Sequence, residues 1–135
     1  MSEPPLPFLS LDFLYTPSSD VAGDRTYLVD VMGGRSVFAV EGMGARVAAV
    51  ALTEGPPLVL LTDHVDGDRP IMVYRVAEFD TALSELESRG WEPEGSFEIP
   101  HGPCCSFTTP GGHRIAVYEL TRPEAARHFI GRFDF

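Results

Sequence analysis

The chain has 135 residues, 44% hydrophobic and 22% charged, with a formal net charge of −10. That length suits one ordinary domain, or two small halves sharing a core, and the balance is that of a globular chain rather than a disordered one. The acid excess would be repelled by a phosphate backbone, which argues against nucleic-acid partners; it would concentrate cationic ligands, although plain solubility is the simpler account of it.

The first residues, Met1-Ser-Glu-Pro-Pro5, have neither the basic nor the apolar stretch of a signal peptide. No apolar run reaches the ~18 residues of a membrane span. The expectation is a cytoplasmic protein. Residues 8 to 16, rich in Leu, Phe and Tyr, read as a strand. Asp20 to Met32 reads as a helix with Asp20 as its N-cap and Gly33-Gly34 beyond its end; Gly23 and Thr26 weaken it. Three strand-like runs follow, 36–40, 45–52 and 58–61, separated by Gly42-Met-Gly44 and Gly55-Pro-Pro57. Gly42-Met-Gly44 lacks the Lys and Ser/Thr of a phosphate loop and is a turn.

The polar segment Asp63-His-Val-Asp-Gly-Asp-Arg69 separates this half from a second with the same order. Pro70 to Val76 is β-branched and aromatic, with Pro70 at a first strand position. In Glu78 to Arg89 the apolar residues Phe79, Ala82, Leu83 and Leu86 recur at helical spacing, and Gly90 suits the stop. Strands are expected at 95–99, 104–108 and 113–120, with Pro100-His-Gly-Pro103 and Pro110-Gly-Gly112 as turns. Cys104 and Cys105 are the only cysteines, and being adjacent they read as free thiols in a reducing compartment. Thr121-Arg-Pro-Glu124 has the form of a capping box, and Ala126, Phe129, Ile130 and Phe133 continue at helical spacing, so a C-terminal helix over about 122–133 is expected. Its apolar face suits packing on its own domain; the alternative is a homodimer contact.

Strand, helix and three strands thus occur twice, an internal repeat of about fifty residues. The expected architecture is α+β: two βαβββ modules, about 8–62 and 70–120, joined by a 63–69 linker, forming a curved mixed sheet around a central cavity, plus the C-terminal helix. This resembles the vicinal-oxygen-chelate superfamily, the fold of glyoxalases, bleomycin-resistance proteins and extradiol dioxygenases. Three stretches carry the resemblance: Asp20 with Tyr27-Leu-Val-Asp-Val-Met-Gly33, Tyr74-Arg-Val-Ala-Glu-Phe-Asp80 with Leu83, Leu86 and Gly90, and Thr109-Pro-Gly-Gly-His-Arg-Ile-Ala-Val117.

The resemblance also implies where a metal would sit. Metal-dependent members of that superfamily place one ligand on each of four strands, usually His, Glu, His and Glu, because a divalent cation needs N or O donors converging with positions left open for substrate. Carried over one at a time, these positions fall on Phe13, at or near Val59 (with Leu60 and Leu61 beside it), Ile71 and Ala116. None can ligate a cation. Shifting the first by one residue reaches Asp12, and shifting the last by three reaches Glu119, but odd shifts turn a strand residue to the other face. The expectation is no metal at that site and no cofactor.

Alternation places Phe13 and Tyr15, Ile71, Val73 and Arg75, and Ala116 and Tyr118 on the cavity face. The result is an apolar, aromatic pocket with two phenols and a guanidinium. Arg75 would meet a ligand carboxylate or pair with an acid nearby, and the phenols equally suit ordinary packing. Glu98, His101 and Cys104 form a secondary cluster that suits a Cys/His nucleophile or a separate metal site less well than a tight Pro-rich turn. His64 reads as an exposed linker residue, His113 as a turn residue and His128 as a helix-surface residue. The leading expectation is a protein that binds a small, aromatic or cationic molecule without metal, like the bleomycin-resistance branch. The alternative is a lyase, isomerase or dioxygenase-type enzyme using other residues. No catalytic residue is assigned.

Overall fold

A computed structural model describes residues 6–42 and 44–135. Met1–Pro5, read above for a targeting signal, and Met43, the middle of the first glycine turn, lie outside the described residues. The elements run β1 (Ser10–Pro17), α1 (Val21–Asp30), β2 (Arg35–Gly42), β3 (Ala45–Ala51), β4 (Leu58–Thr62), β5 (Ile71–Val76), α2 (Phe79–Ser88), β6 (Gly95–Ile99), β7 (Gly102–Thr108) and β8 (Arg114–Glu119), then a 3₁₀ helix, Pro123–His128.

All eight strands form one sheet in the order β2-β3-β4-β1-β5-β8-β7-β6. In each half the three closing strands are antiparallel, and the last returns parallel beside the opening strand. The halves meet through an antiparallel β1–β5 seam. The two modules are thus the same ladder written twice, as the repeat predicts.

Each helix packs on one side of its own module. On α2, Phe79, Ala82 and Leu83 bury against Val76, Cys105 and Val117. Glu78, the N-cap residue, makes no side-chain cap bond. Glu119 does this work instead, its Oε1 accepting the Phe79 N–H at 2.7 Å. Gly90, at φ +91°, ends the helix in the left-handed conformation. On α1, Asp20 caps as expected, accepting the Gly23 N–H at 3.0 Å. Val21 is buried, and Leu28 packs with it against Ala48 and Leu61.

The C-terminal helix is shorter and tighter than its spacing suggests. Arg122, not Thr121, occupies the N-cap, without a side-chain bond, so the capping box does not form. The Thr121 and Arg122 amides are committed to the His101 carbonyl at 3.0 Å each. Past the helix the chain turns at Gly131 (φ +82°) and runs along the free edge of β2. Gly131 N–H bonds Val37 O, Ala39 N–H bonds Arg132 O, and Asp134 N–H bonds Ala39 O. Edge pairing satisfies backbone groups of β2 that a continued helix would leave unpaired, and it covers the outer strand of the sheet.

Candidate functional site

The sheet face opposite α1 and α2 encloses a cavity of about 560 Å³, within the range of small-molecule pockets. Strand register decides what enters it. On β1, Phe13 lies opposite Val73 and Tyr15 opposite Ile71, so these four side chains share a face. On β8, Ala116 lies beside Val73, and Tyr118 beside Arg75. On β4, Leu60 is level with Tyr15, whereas Val59 is level with Leu14. Leu60 therefore faces the cavity, and Val59 turns to the α1 side, packing near Val21 and Leu61. The second ligand position of the resemblance thus falls on Leu60, one residue from the Val59 reading. The four inner positions are Phe13, Leu60, Ile71 and Ala116, all lining the cavity and none with a side-chain donor. These residues do not fit a divalent cation. Among the described residues no group of three or more His, Cys, Asp or Glu side chains is placed to hold a metal ion.

Phe38, Phe97 and Phe129 add further rings to the wall. Past Phe13 and His101 lies a smaller recess of about 250 Å³, roofed by Pro123, Ala126, Phe129 and Ile130 of the C-terminal segment. Phe38 and Phe129 meet at 5.7 Å between centroids, and Phe13 and His101 at 5.3 Å, so aromatic pairs divide the two spaces. Tyr118 lines the recess rather than the main cavity.

Two hydrogen-bonded side-chain clusters border these spaces. The first is built on a β-bulge in β1: Ser10 pairs with Arg75 and Phe13 with Val73, leaving one extra residue between them. That residue, Asp12, joins Phe13 on the side of Tyr118. Its carboxylate accepts hydrogen bonds from the Tyr118 hydroxyl and, at 2.5 Å, from the Ser10 hydroxyl, and lies 3.6 Å from Arg75 Nε. Strict alternation had turned Asp12 away from this face; the bulge is why it is there. Arg75 does not line the cavity, being engaged by Asp12. Burial, then the hydrogen bond and charge of Asp12, push the Tyr118 phenol far above its usual range. Glu119, the other shifted position, serves α2 on the opposite face.

The second cluster stands at the cavity mouth. His64, in the linker, is exposed as expected, yet its ring also lines the cavity. Its Nδ1 hydrogen-bonds Oγ1 of the fully buried Thr62, and its Nε2 lies 3.1 Å from the Tyr15 hydroxyl. Burial raises the Tyr15 phenol, and the Thr62 hydroxyl partly offsets this.

The secondary candidates separate. Glu98 is exposed and pairs with Arg122 at 2.6 Å, outside the cavity. Cys104 lies in the wall, but burial, with Cys105 adding to it, pushes its thiol up to about 12, so it is no ready nucleophile. His101 lines both spaces; burial lowers its pKa most, Arg122 lowers it further, and Asp12 opposes them. The imidazole in this wall is therefore neutral at neutral pH.

No family model matches the chain, and no curated protein matches it in sequence. Solved structures do match. Methylmalonyl-CoA epimerase from Mycobacterium tuberculosis aligns with a TM-score of 0.70 over 88% of this chain and 93% of that one, at 18% identity. A hypothetical protein, BH1468 from Bacillus halodurans C-125, gives 0.70 over 84% and 95% at 10% identity. A catechol 2,3-dioxygenase gives 0.62 over 82% of this chain and 40% of that one, at 18% identity. The chain shares the fold of these proteins, with apolar side chains at the four inner positions. At these identities the likeness concerns the fold alone.

Proposed function

We propose that this protein binds a small, largely apolar molecule of aromatic or cationic character in the main cavity, without a metal ion. The observation that carries the reading is the lining itself: a space of about 560 Å³ walled by aromatic and aliphatic side chains, with Phe13, Leu60, Ile71 and Ala116 at its centre. Burial of apolar ligand surface supplies roughly 25 cal/mol per Å². The rings offer π faces to either an aromatic system or an alkylated ammonium. The net charge of −10 favours the encounter with a cation. The two free, buried thiols suit a reducing, cytoplasmic setting.

The test pairs elemental analysis with calorimetry. Purified protein, before and after incubation with Zn, Mn, Ni and Fe(II), is expected to hold no stoichiometric metal. An acridinium-type planar cation is expected to bind and to raise stability by about 2.7 kcal/mol at a hundred times its Kd. Ala116→Phe, which fills the cavity, is expected to abolish binding while the fold persists by circular dichroism. Tight stoichiometric metal, or binding indifferent to Ala116→Phe, would overturn the reading.

A further inference from the structure

One feature of the cavity is more than a binding wall needs. Of the side chains lining it, His64 and Tyr15 are joined by a hydrogen bond, and the pair is backed by a buried hydroxyl. Thr62 ends β4, and His64 follows two residues later, so the strand itself aims the imidazole. Thr62 Oγ1 also accepts the His64 backbone N–H at 3.3 Å. With two lone pairs, that oxygen has room to accept Nδ1–H as well, and in that tautomer the Nε2 lone pair faces Tyr15 and the cavity. The rings meet edge-on at 5.7 Å. The imidazole is open to solvent on its outer side, so a proton taken from the cavity has a way out. The phenol, its ionisation opposed by burial, stays a donor.

We propose that His64 and Tyr15 form a metal-independent proton-transfer site at the mouth of the cavity, acting on apolar carbon acids with a carbonyl or equivalent electron sink. In the resting state the phenol donates to Nε2. A substrate entering between them exchanges that bond for two. Nε2 takes the proton from the activated carbon, and His64 becomes imidazolium, its Nδ1–H still held by Thr62. The C–H electron pair forms the new π bond to the carbonyl carbon, and the displaced C=O pair goes to oxygen, which accepts the Tyr15 O–H hydrogen bond. The proton then returns to carbon or leaves to water. No redox partner is needed. Apolar walls strengthen each of these charge interactions relative to water. This goes beyond binding, but it rests on the same cavity admitting an apolar ligand.

The probe is 5-nitrobenzisoxazole, whose ring opening needs only a base: the C3 proton leaves, its electron pair completes the nitrile, and the N–O bond breaks to give a coloured phenolate. In excess chelator, saturable turnover is expected about 10²–10⁴-fold above an equal concentration of free imidazole, with a primary isotope effect on C3-deuterated substrate. His64→Gln, at an exposed position, is expected to return the rate to background, and Tyr15→Phe to cause a partial loss in kcat. His113→Gln, a turn imidazole away from the cavity, should keep the full rate. Binding is read separately with the unreactive analogue 5-nitrobenzimidazole. If the analogue binds but turnover is absent, chelator-sensitive or indifferent to His64→Gln, proton transfer is overturned and the cavity reading stands. If the analogue does not bind at millimolar concentration, both fall.

Discussion

Asp12 owes its place to one extra residue in β1, and the consequence is thermodynamic. Its carboxylate answers Tyr118, Ser10 and Arg75 together. Asp12→Ala leaves the Tyr118 hydroxyl buried without its acceptor, at a cost of about 1–3 kcal/mol, while Tyr118→Phe removes one bond for about 1 kcal/mol. Urea unfolding of both singles and the double should show the double costing less than their sum, since it strands neither partner. His101 adds a pH term. Its folded pKa lies below the unfolded value, so the unfolded chain binds the proton first on acidification. Stability should be level above about pH 6.5 and fall as pH drops through the folded value; His101→Phe should flatten that slope in urea midpoints taken between about pH 5 and 7.5. Cys104 acts at the other end. Raised to about 12 when folded, its thiol supports the native state fully below the unfolded thiol's value and loses that contribution as pH climbs toward 12. In the native protein at mildly alkaline pH it should resist iodoacetamide and label only on unfolding, as mass spectrometry would show.

Among the elements, the beginning of β7 is the tightest join. A Cβ on Gly102 would lie 2.0 Å from the Glu119 carbonyl oxygen and 2.9 Å from the Thr121 hydroxyl. Gly102→Ala therefore pushes β7 off the end of β8, next to His101, and should cost about 1–3 kcal/mol in thermal unfolding. The elements also show what a sequence can convey. α2 was legible because Phe79, Ala82 and Leu83 repeat at the helical period and bury on one side. α1 offers only Val21 and Leu28 to its core, so Asp20 and Gly33 marked it better than any pattern. The C-terminal periodicity was real, since Ala126, Phe129 and Ile130 do share the recess, but the pull of an unpaired β2 edge lies in another part of the chain and leaves no local sign. The Asp12 bulge is equally silent, because Ser10-Leu-Asp-Phe13 reads as unbroken alternation. His64 went unassigned because its neighbours are linker-like; only the fold brings Tyr15 to it across the β1–β4 pairing.

At the scale of the molecule, the repeat in the sequence becomes a repeat in the sheet, and the cavity lies on the face shared by both halves. Fold order survives in sequence because it rests on many residues, each contributing a little. A site rests on few, and a one-residue difference such as Val59 for Leu60 changes what faces a ligand.

The covering of the β2 edge by the tail has a mechanical consequence. The second module grips the first twice: at the β1–β5 seam, and again where residues 131–134 cross to Val37 and Ala39. The covalent linker between them is then nearly redundant once folding is complete. A chain nicked by protease between Asp66 and Gly67 should stay associated as two fragments and keep its fold. The same nick in a chain truncated after His128 should let the halves separate on a sizing column, because a clasp with one hook opens where a clasp with two holds.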